Sequence, residues 1–210
     1  MQNTYLSEAQ VTALKKKVIG IVGMPGSGKS IAAQVARSEG LPVVSMGDVV
    51  REMAALQGVP LSPENLGIIM IKIREEGGED VVARKCMPKI DANNSDVVVV
   101  EGVRSLAEIK TFKEGYPDFV LIGVYASPKT RLKRLTMRGR EDDPKTISHF
   151  IERDERELQV GVGAALALAD YMIVNEGKIE EFKAKVKEVL GRIINENKSG
   201  STIKTDGESR

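Results

Sequence analysis

Gly23-Met24-Pro25-Gly26-Ser27-Gly28-Lys29-Ser30 constrains this chain more than any other stretch, because its spacing, G-x-x-x-x-G-K-S, is that of a loop built to hold phosphate. Glycines at 23, 26 and 28 let the backbone curl without Cβ clashes, so that successive N–H groups turn inward as a nest for anionic oxygens. The pattern assigns Lys29 to the β/γ-phosphates and the Ser30 hydroxyl to a magnesium ion. A helix starting at about Ser27 points its positive end at the same anion. The flanks agree: Lys17 to Val22 is a short apolar run that reads as a buried parallel strand, and Ile31 to Arg37 is helical, closed by Gly40. Gly23, Pro25, Gly26, Ser27, Gly28, Lys29 and Ser30 are therefore the candidate binding residues for a nucleoside polyphosphate.

Strands and helices alternate beyond this unit. Leu41 to Ser45 reads as a second strand, followed by helices over Asp48–Leu56, Ser62–Glu75 and Glu79–Ile90, with Gly77-Gly78 as a break. Asp96 to Val100 is the most apolar strand and is expected at the centre of the sheet. Then come helix Ser105–Lys113, strand Phe119–Tyr125, helix Pro128–Arg138, a helix opened by Asp143-Pro144 and running to about Val160, strand Tyr171–Val174 and helix Ile179–Arg192. Continuous apolar strands alternating with helices predict an α/β fold, a three-layer α/β/α sandwich on a parallel five-stranded sheet, with ligands at the carboxyl ends of the strands. Residues 1–16 read as an N-terminal extension and 17–194 as one domain. Asn195 to Arg210, polar and without periodicity, reads as a disordered tail.

The chain of 210 residues is long enough for a proper core. Its 31 Lys+Arg against 30 Asp+Glu leave no global field that would favour nucleic acid or a membrane surface. Cys86, the one cysteine, excludes an internal disulfide and sits in a helical apolar setting, as an inert buried thiol would. No apolar run reaches 18 residues and no signal segment follows Met1, so a soluble cytoplasmic protein is expected.

Three further clusters fall at strand ends. Asp48 and Arg51, in Gly47-Asp48-Val49-Val50-Arg51, share one face of a first helical turn; an ordinary capping pair would look the same. Glu101, after four valines, stands where a carboxylate holds Mg²⁺ directly or through water, and Arg104 follows it. Between Lys129 and Arg140 lie six cations and no acid, with Arg131, Arg134 and Arg138 on one helix face. Like charges so placed repel, which points to an anionic partner. The stretch lacks interleaved aromatics, which favours a polyphosphate clamp over a nucleic-acid patch. Gly139 to Pro144 reads as a short lid at about 138–146, closed by Arg153. Glu152 to Glu157 otherwise looks like a solvated charged face, Arg156 above all.

These residues resemble the nucleoside monophosphate kinase family, adenylate kinase and its relatives, from about Lys17 to Leu190. The resemblance rests on G-x-P-G-S-G-K-S at 23–30, on G-D-x-x-R at 47–51 and on Glu101-Gly102-Val103-Arg104, similar to the family's D-G-x-x-R but one residue shorter. It also rests on Arg134 and Arg138 as R-x-x-x-R, and on the lid pattern Arg140, Asp142-Asp143 and Arg153. It implies a P-loop kinase fold using ATP and Mg²⁺, with Ser30 and Glu101 on the metal. Lys29, Arg134, Arg138, Arg140 and Arg153 would be catalytic, and Asp48, Arg51 and Arg104 acceptor-binding on helices within about 47–90. Ala169 to Gly177 is similar to the closing strand of dephospho-coenzyme A kinases, A-D-x-x-I-x-N-x-G, and the 62–90 segment looks most like a group of archaeal kinase-like proteins related to both. The implied partner is a nucleotide-like small-molecule acceptor. Hydroxyl phosphorylation of the dephospho-coenzyme A type, a slow nucleotide triphosphatase and a nucleic-acid-end kinase are the alternatives.

Overall fold

The computed structural model describes residues 16–60, 63–139 and 143–199. Among these, β1 (Lys17–Val22), α1 (Lys29–Ser38), β2 (Val43–Ser45), α2 (Met46–Leu56), α3 (Pro63–Gly77) and α4 (Val81–Asp91) form the first half. The second half is β3 (Val97–Val103), α5 (Leu106–Gly115), β4 (Val120–Tyr125), α6 (Pro128–Arg138), α7 (Ile147–Val160), α8 (Val162–Ala167), β5 (Tyr171–Val174) and α9 (Ile179–Ser199).

The strands form one parallel sheet in the order β2-β3-β1-β4-β5. The centre belongs to β1, all six residues of which are buried, and not to the four-valine strand, which lies between β2 and β1. Apolar content reports burial on both faces, which both inner strands share. Strand order follows instead from the crossover connections. Alternate side chains feed two cores. Val18, Val22, Val98 and Val100 pack with α2, α4, α5 and Phe112, Tyr116 and Phe119 on one face. Ile19, Ile21, Val99 and Ile122 pack with α1 and with Phe182, Val186, Leu190 and Ile193 of α9 on the other. Sheet faces covered in this way make the three layers.

Polar anchors close the end of the sheet opposite the phosphate loop. Lys17 Nζ donates to Ile193 O at 2.7 Å, and Lys16 Nζ donates to Ile90 O and Asp91 O at 2.8 Å, among the carbonyls that end α4. Leu121 N donates to Asp170 Oδ2 at 2.7 Å, so the Asp of the A-D-x-x-I-x-N stretch ties β5 to β4. Cys86 is fully buried, and burial pushes its thiol up to about 12, consistent with an inert core group.

Several element ends differ from expectation. Ser45, not Asp48, caps α2, accepting from Asp48 N at 3.2 Å. The helix after the lid begins at Ile147, where the Thr146 hydroxyl accepts from His149 N at 3.1 Å, and Asp143 is buried in ion pairs instead of opening it. The last helix runs to Ser199, five residues into the segment read as a disordered tail. Residues 1–15 and 200–210 lie outside the described residues.

Candidate active site

The phosphate loop joins the carboxyl end of β1 to α1. Gly26 and Gly28 hold φ values of +80° and +112°, conformations that L side chains rarely adopt. Ser27 N donates to Met24 O at 3.1 Å, closing the turn. Gly28 caps α1 without any side-chain hydrogen bond, so no side chain of the cap occupies the helix's first donors. A Cβ at Gly23 would stand 2.5 Å from Val124 O and 2.6 Å from Ser27 Oγ, so this position admits only glycine.

Gly28 is held as tightly. A Cβ there would meet Asn175 Nδ2 at 2.4 Å, and that amide donates to Ser27 O at 2.7 Å. Gly28→Ala is expected to cost roughly 1–3 kcal/mol in strain and to weaken triphosphate binding at least tenfold. Thermal melts and nucleotide titration check it. A variant with wild-type melting would show that the loop tolerates a Cβ there.

Lys29 folds back over the loop, its Nζ donating to Gly23 O at 2.5 Å and Met24 O at 3.2 Å. Carbonyl oxygens stand in for phosphate oxygens here. Burial lowers the Lys29 ammonium to about 8; Glu157 and Glu101 oppose that shift, and Arg104 and Arg153 add to it. Ser30 Oγ lies 3.0 Å from Glu101 Oε1. The bulge at Gly102, where β3 slips one residue against Val22 and φ reaches +99°, sets the strand end next to Glu101. One hydroxyl and one carboxylate suit a Mg²⁺ whose other ligands are phosphate oxygens and water. Among the described residues no cluster of three His, Cys, Asp or Glu could hold a metal alone.

The cations of α6 are not without counter-charge. Arg131, expected on the clamp face, is buried: its Nη1 donates to Asp154 Oδ1 at 2.7 Å and to Pro25 O at 3.2 Å, and its guanidinium lies 5.0 Å from the Phe150 ring centroid. Arg138 Nε donates to Asp143 Oδ2 at 2.9 Å, and Arg153 Nη1 approaches Asp143 Oδ1 at 3.7 Å. Arg134 differs. Its Nη2 donates to Asn175 Oδ1 at 3.1 Å, while its Nη1 is buried with no hydrogen-bond partner, as is Ser27 Oγ. Two residues with an orphaned buried group, Ser27 in the phosphate loop and Arg134 beside it, are thus linked through Asn175. Arg140 lies outside the described residues.

Arg104 Nε donates to Glu157 Oε2 at 3.0 Å. Burial opposes the Glu157 charge, but Arg104, Lys29 and Arg153 outweigh it and hold the carboxyl below its ordinary value. Sequence reasoning took Glu157 for part of a solvated run. The available signal was that Phe150, Asp154 and Glu157 stand at i, i+4 and i+7, one face of α7. Asp48 and Arg51 pair with each other on the exposed start of α2, which follows Ser45, the residue in register with Glu101, and among the described residues neither makes a hydrogen bond or ion pair to the loop.

Comparison with known proteins fits this geometry. The AAA domain family matches residues 22–150. A UPF0200 protein of Methanothermobacter thermautotrophicus is 42% identical over 184 residues, spanning 88% of this chain and 94% of that protein. A UPF0200 protein of Methanococcus maripaludis is 45% identical over 183 residues, spanning 86% and 100%. In structure the chain is similar to a shikimate kinase from Acinetobacter baumannii in complex with shikimate, with TM-score 0.55 and 17% identity over 90% of this chain and 99% of that one, a likeness of fold. With its glycine loop, parallel sheet and kinase-like topology, the chain belongs to the UPF0200 family of P-loop, nucleotide-binding proteins.

Proposed function

We propose that the protein is a phosphotransferase that moves the γ-phosphoryl group of Mg·ATP to a nucleoside monophosphate or a related nucleotide-like small molecule. The observation that carries this reading is the convergence on one loop of Lys29, the Ser30–Glu101 contact and the unsatisfied Arg134 Nη1. Such a loosely bonded transition state asks for position and positive charge more than for covalent chemistry. In this reading Lys29 and Arg134 would neutralise the transferring group, with Arg138 and Arg153 adding positive charge from α6 and α7, and Arg140 is assigned the same role from its place in the sequence motif. Ser30 and Glu101 would hold Mg²⁺, which supplies charge neutralisation at the bridging oxygens. Asp48, Arg51 and Arg104 lie on the acceptor side in this reading, and lid closure excludes water as a competing acceptor.

The Ala169–Gly177 stretch does not favour a hydroxyl acceptor, because Asp170 and Asn175, the two polar residues its motif specifies, are engaged elsewhere. Asp170 ties β5 to β4, and Asn175 holds Ser27 O and Arg134. A transfer screen tests the proposal. Protein with Mg·ATP meets AMP, CMP, UMP, GMP, dephospho-coenzyme A or no acceptor, and products are resolved by mass spectrometry. One nucleoside monophosphate gaining phosphate is the expected result. ADP in every tube with no new phosphoester would replace the kinase by a slow triphosphatase.

A further inference from the structure

A cavity of about 410 Å³ opens between α3, the start of α5 and the carboxyl half of α7. Its size lies within the range of small-molecule sites. Arg74, Ser105, Arg156 and Gln159 supply polar walls, with Ile71 and Val160 between them. Two features set these walls apart. Arg74 is nine-tenths buried and fixed, its Nη2 on Glu108 Oε1 at 2.6 Å and its Nη1 on Met70 O at 2.9 Å, while its Nε is buried without a partner. Glu108 in turn closes the capping box of α5 with Ser105, so this wall is rigid. Arg156 is half-buried, with no ion pair or hydrogen bond among the described residues. Its guanidinium reaches so close to Gly67 of α3 that a Cβ there would lie 2.7 Å from Nη1.

The charges are graded. Arg74 is nine-tenths buried and Arg156 half-buried, whereas the cavity's two acids, Glu75 and Glu79, are exposed and screened by solvent. An anion therefore gains beside the arginines, and hydroxyl or amino donors gain beside the exposed acids. The cavity also shares a wall with the phosphate loop's surroundings. Ser105 follows Arg104, Arg156 precedes Glu157, and the Arg104–Glu157 pair faces Lys29. We infer that this cavity is the acceptor pocket and that Arg156 binds an anionic group of the acceptor, a phosphate monoester of nucleoside size, with Glu75 and Glu79 facing its hydroxyl or amino donors. The word acceptor rests on the phosphotransferase reading; the binding of such an anion does not. The exposed Asp48–Arg51 pair then forms the outer edge of the acceptor side and not its anion site.

The test is a titration of the ¹⁵N-labelled full chain with AMP, CMP, UMP, GMP and dephospho-coenzyme A, each beside its neutral nucleoside or, for dephospho-coenzyme A, beside adenosine, followed through backbone amide shifts. At least one phosphorylated compound should give saturable shifts at Ser105, Gln159 and Val160, and its neutral counterpart should bind at least tenfold more weakly. Arg156→Gln should weaken the anion by about 10- to 100-fold, the scale of a lost charge-assisted contact. Arg156→Lys should recover part of that loss, and binding of a fluorescent ATP analogue should stay unchanged in both variants. Shifts confined to residues 23–30, no saturable shift with any compound, or equal affinity of Arg156→Gln would each overturn the pocket, whether or not ATP is turned over. Saturable binding at the cavity without phosphate transfer would keep the pocket and reject the phosphotransferase.

Discussion

Lys29→Met is expected to lower turnover by about 10³-fold or more, while the ligand-free variant melts no lower than the wild type at pH 7. The two halves of this expectation have one cause. In the folded chain the Lys29 ammonium sits against backbone carbonyls and is lowered by burial from 10.5 to about 8. The unfolded chain therefore binds more protons between about pH 8 and 10.5, so the contribution of this group to stability rises with pH across that window and the penalty is full below about 8. Replacing the ammonium by an apolar chain removes the penalty and flattens the rise. A bound polyphosphate reverses the balance, because its oxygens replace the carbonyls and favour the charged form. Affinity for a non-hydrolysable triphosphate should then weaken as pH climbs past about 8 in the wild type but not through this group in Lys29→Met. Melting curves and titrations at pH 7, 8.5 and 10 read both effects. Turnover within tenfold of wild type would remove Lys29 from the reaction, and a melting point several degrees lower would mean that its carbonyl contacts outweigh its desolvation.

How far such a site can be read without coordinates depends on where the partners of each group come from. The glycine loop was legible because its geometry is demanded locally: φ at Gly26 and Gly28, and the lack of room at Gly23, are properties of eight consecutive residues. The Ser30–Glu101 contact was legible too, since it needs only that two parallel strands end together. The partners of the arginines were not. A helix face can be counted from the spacing of Arg131, Arg134 and Arg138, but Asp154 and Asn175 arrive from α7 and from the end of β5. A cluster that reads as unbalanced along the chain is partly balanced in space. Glu157 was hidden for the same reason: it follows a run of charged residues along the chain, and only Arg104 and Lys29, brought over by the fold, and Arg153 one turn back give it a role. The central position of β1 was missed because the valines of β3 report only burial, which does not rank two inner strands.

Arg131→Met should destabilise the protein by about 3–5 kcal/mol and weaken triphosphate binding about tenfold, although Arg131 is no part of the phosphate clamp. Arg131 is 3% exposed and makes a two-pronged pair with Asp154, with Ala126 O and Pro25 O as further acceptors at 3.2 Å. Removing it strands a carboxylate of small exposure beside Phe150, and that loss, more than the net worth of the pair, sets the size of the effect. For a chain of this size the melting point should fall by about 6–20 °C. The binding loss follows from Pro25, whose carbonyl Arg131 Nη1 holds from below, so the loop must be reordered whenever phosphate binds. Arg134→Met, in contrast, should cost less in stability, since that guanidinium gives up its hydrogen bond to Asn175 and has a nitrogen already unsatisfied, yet it should cost more in turnover. The double variant Arg131→Met/Asp154→Leu separates the causes. If the uncompensated carboxylate dominates, the double variant regains about 1–3 kcal/mol over Arg131→Met while its triphosphate binding stays weak, because Pro25 O remains without its donor. Denaturant unfolding of the four proteins measures the coupling, and additive losses would show that the two residues stabilise the fold independently.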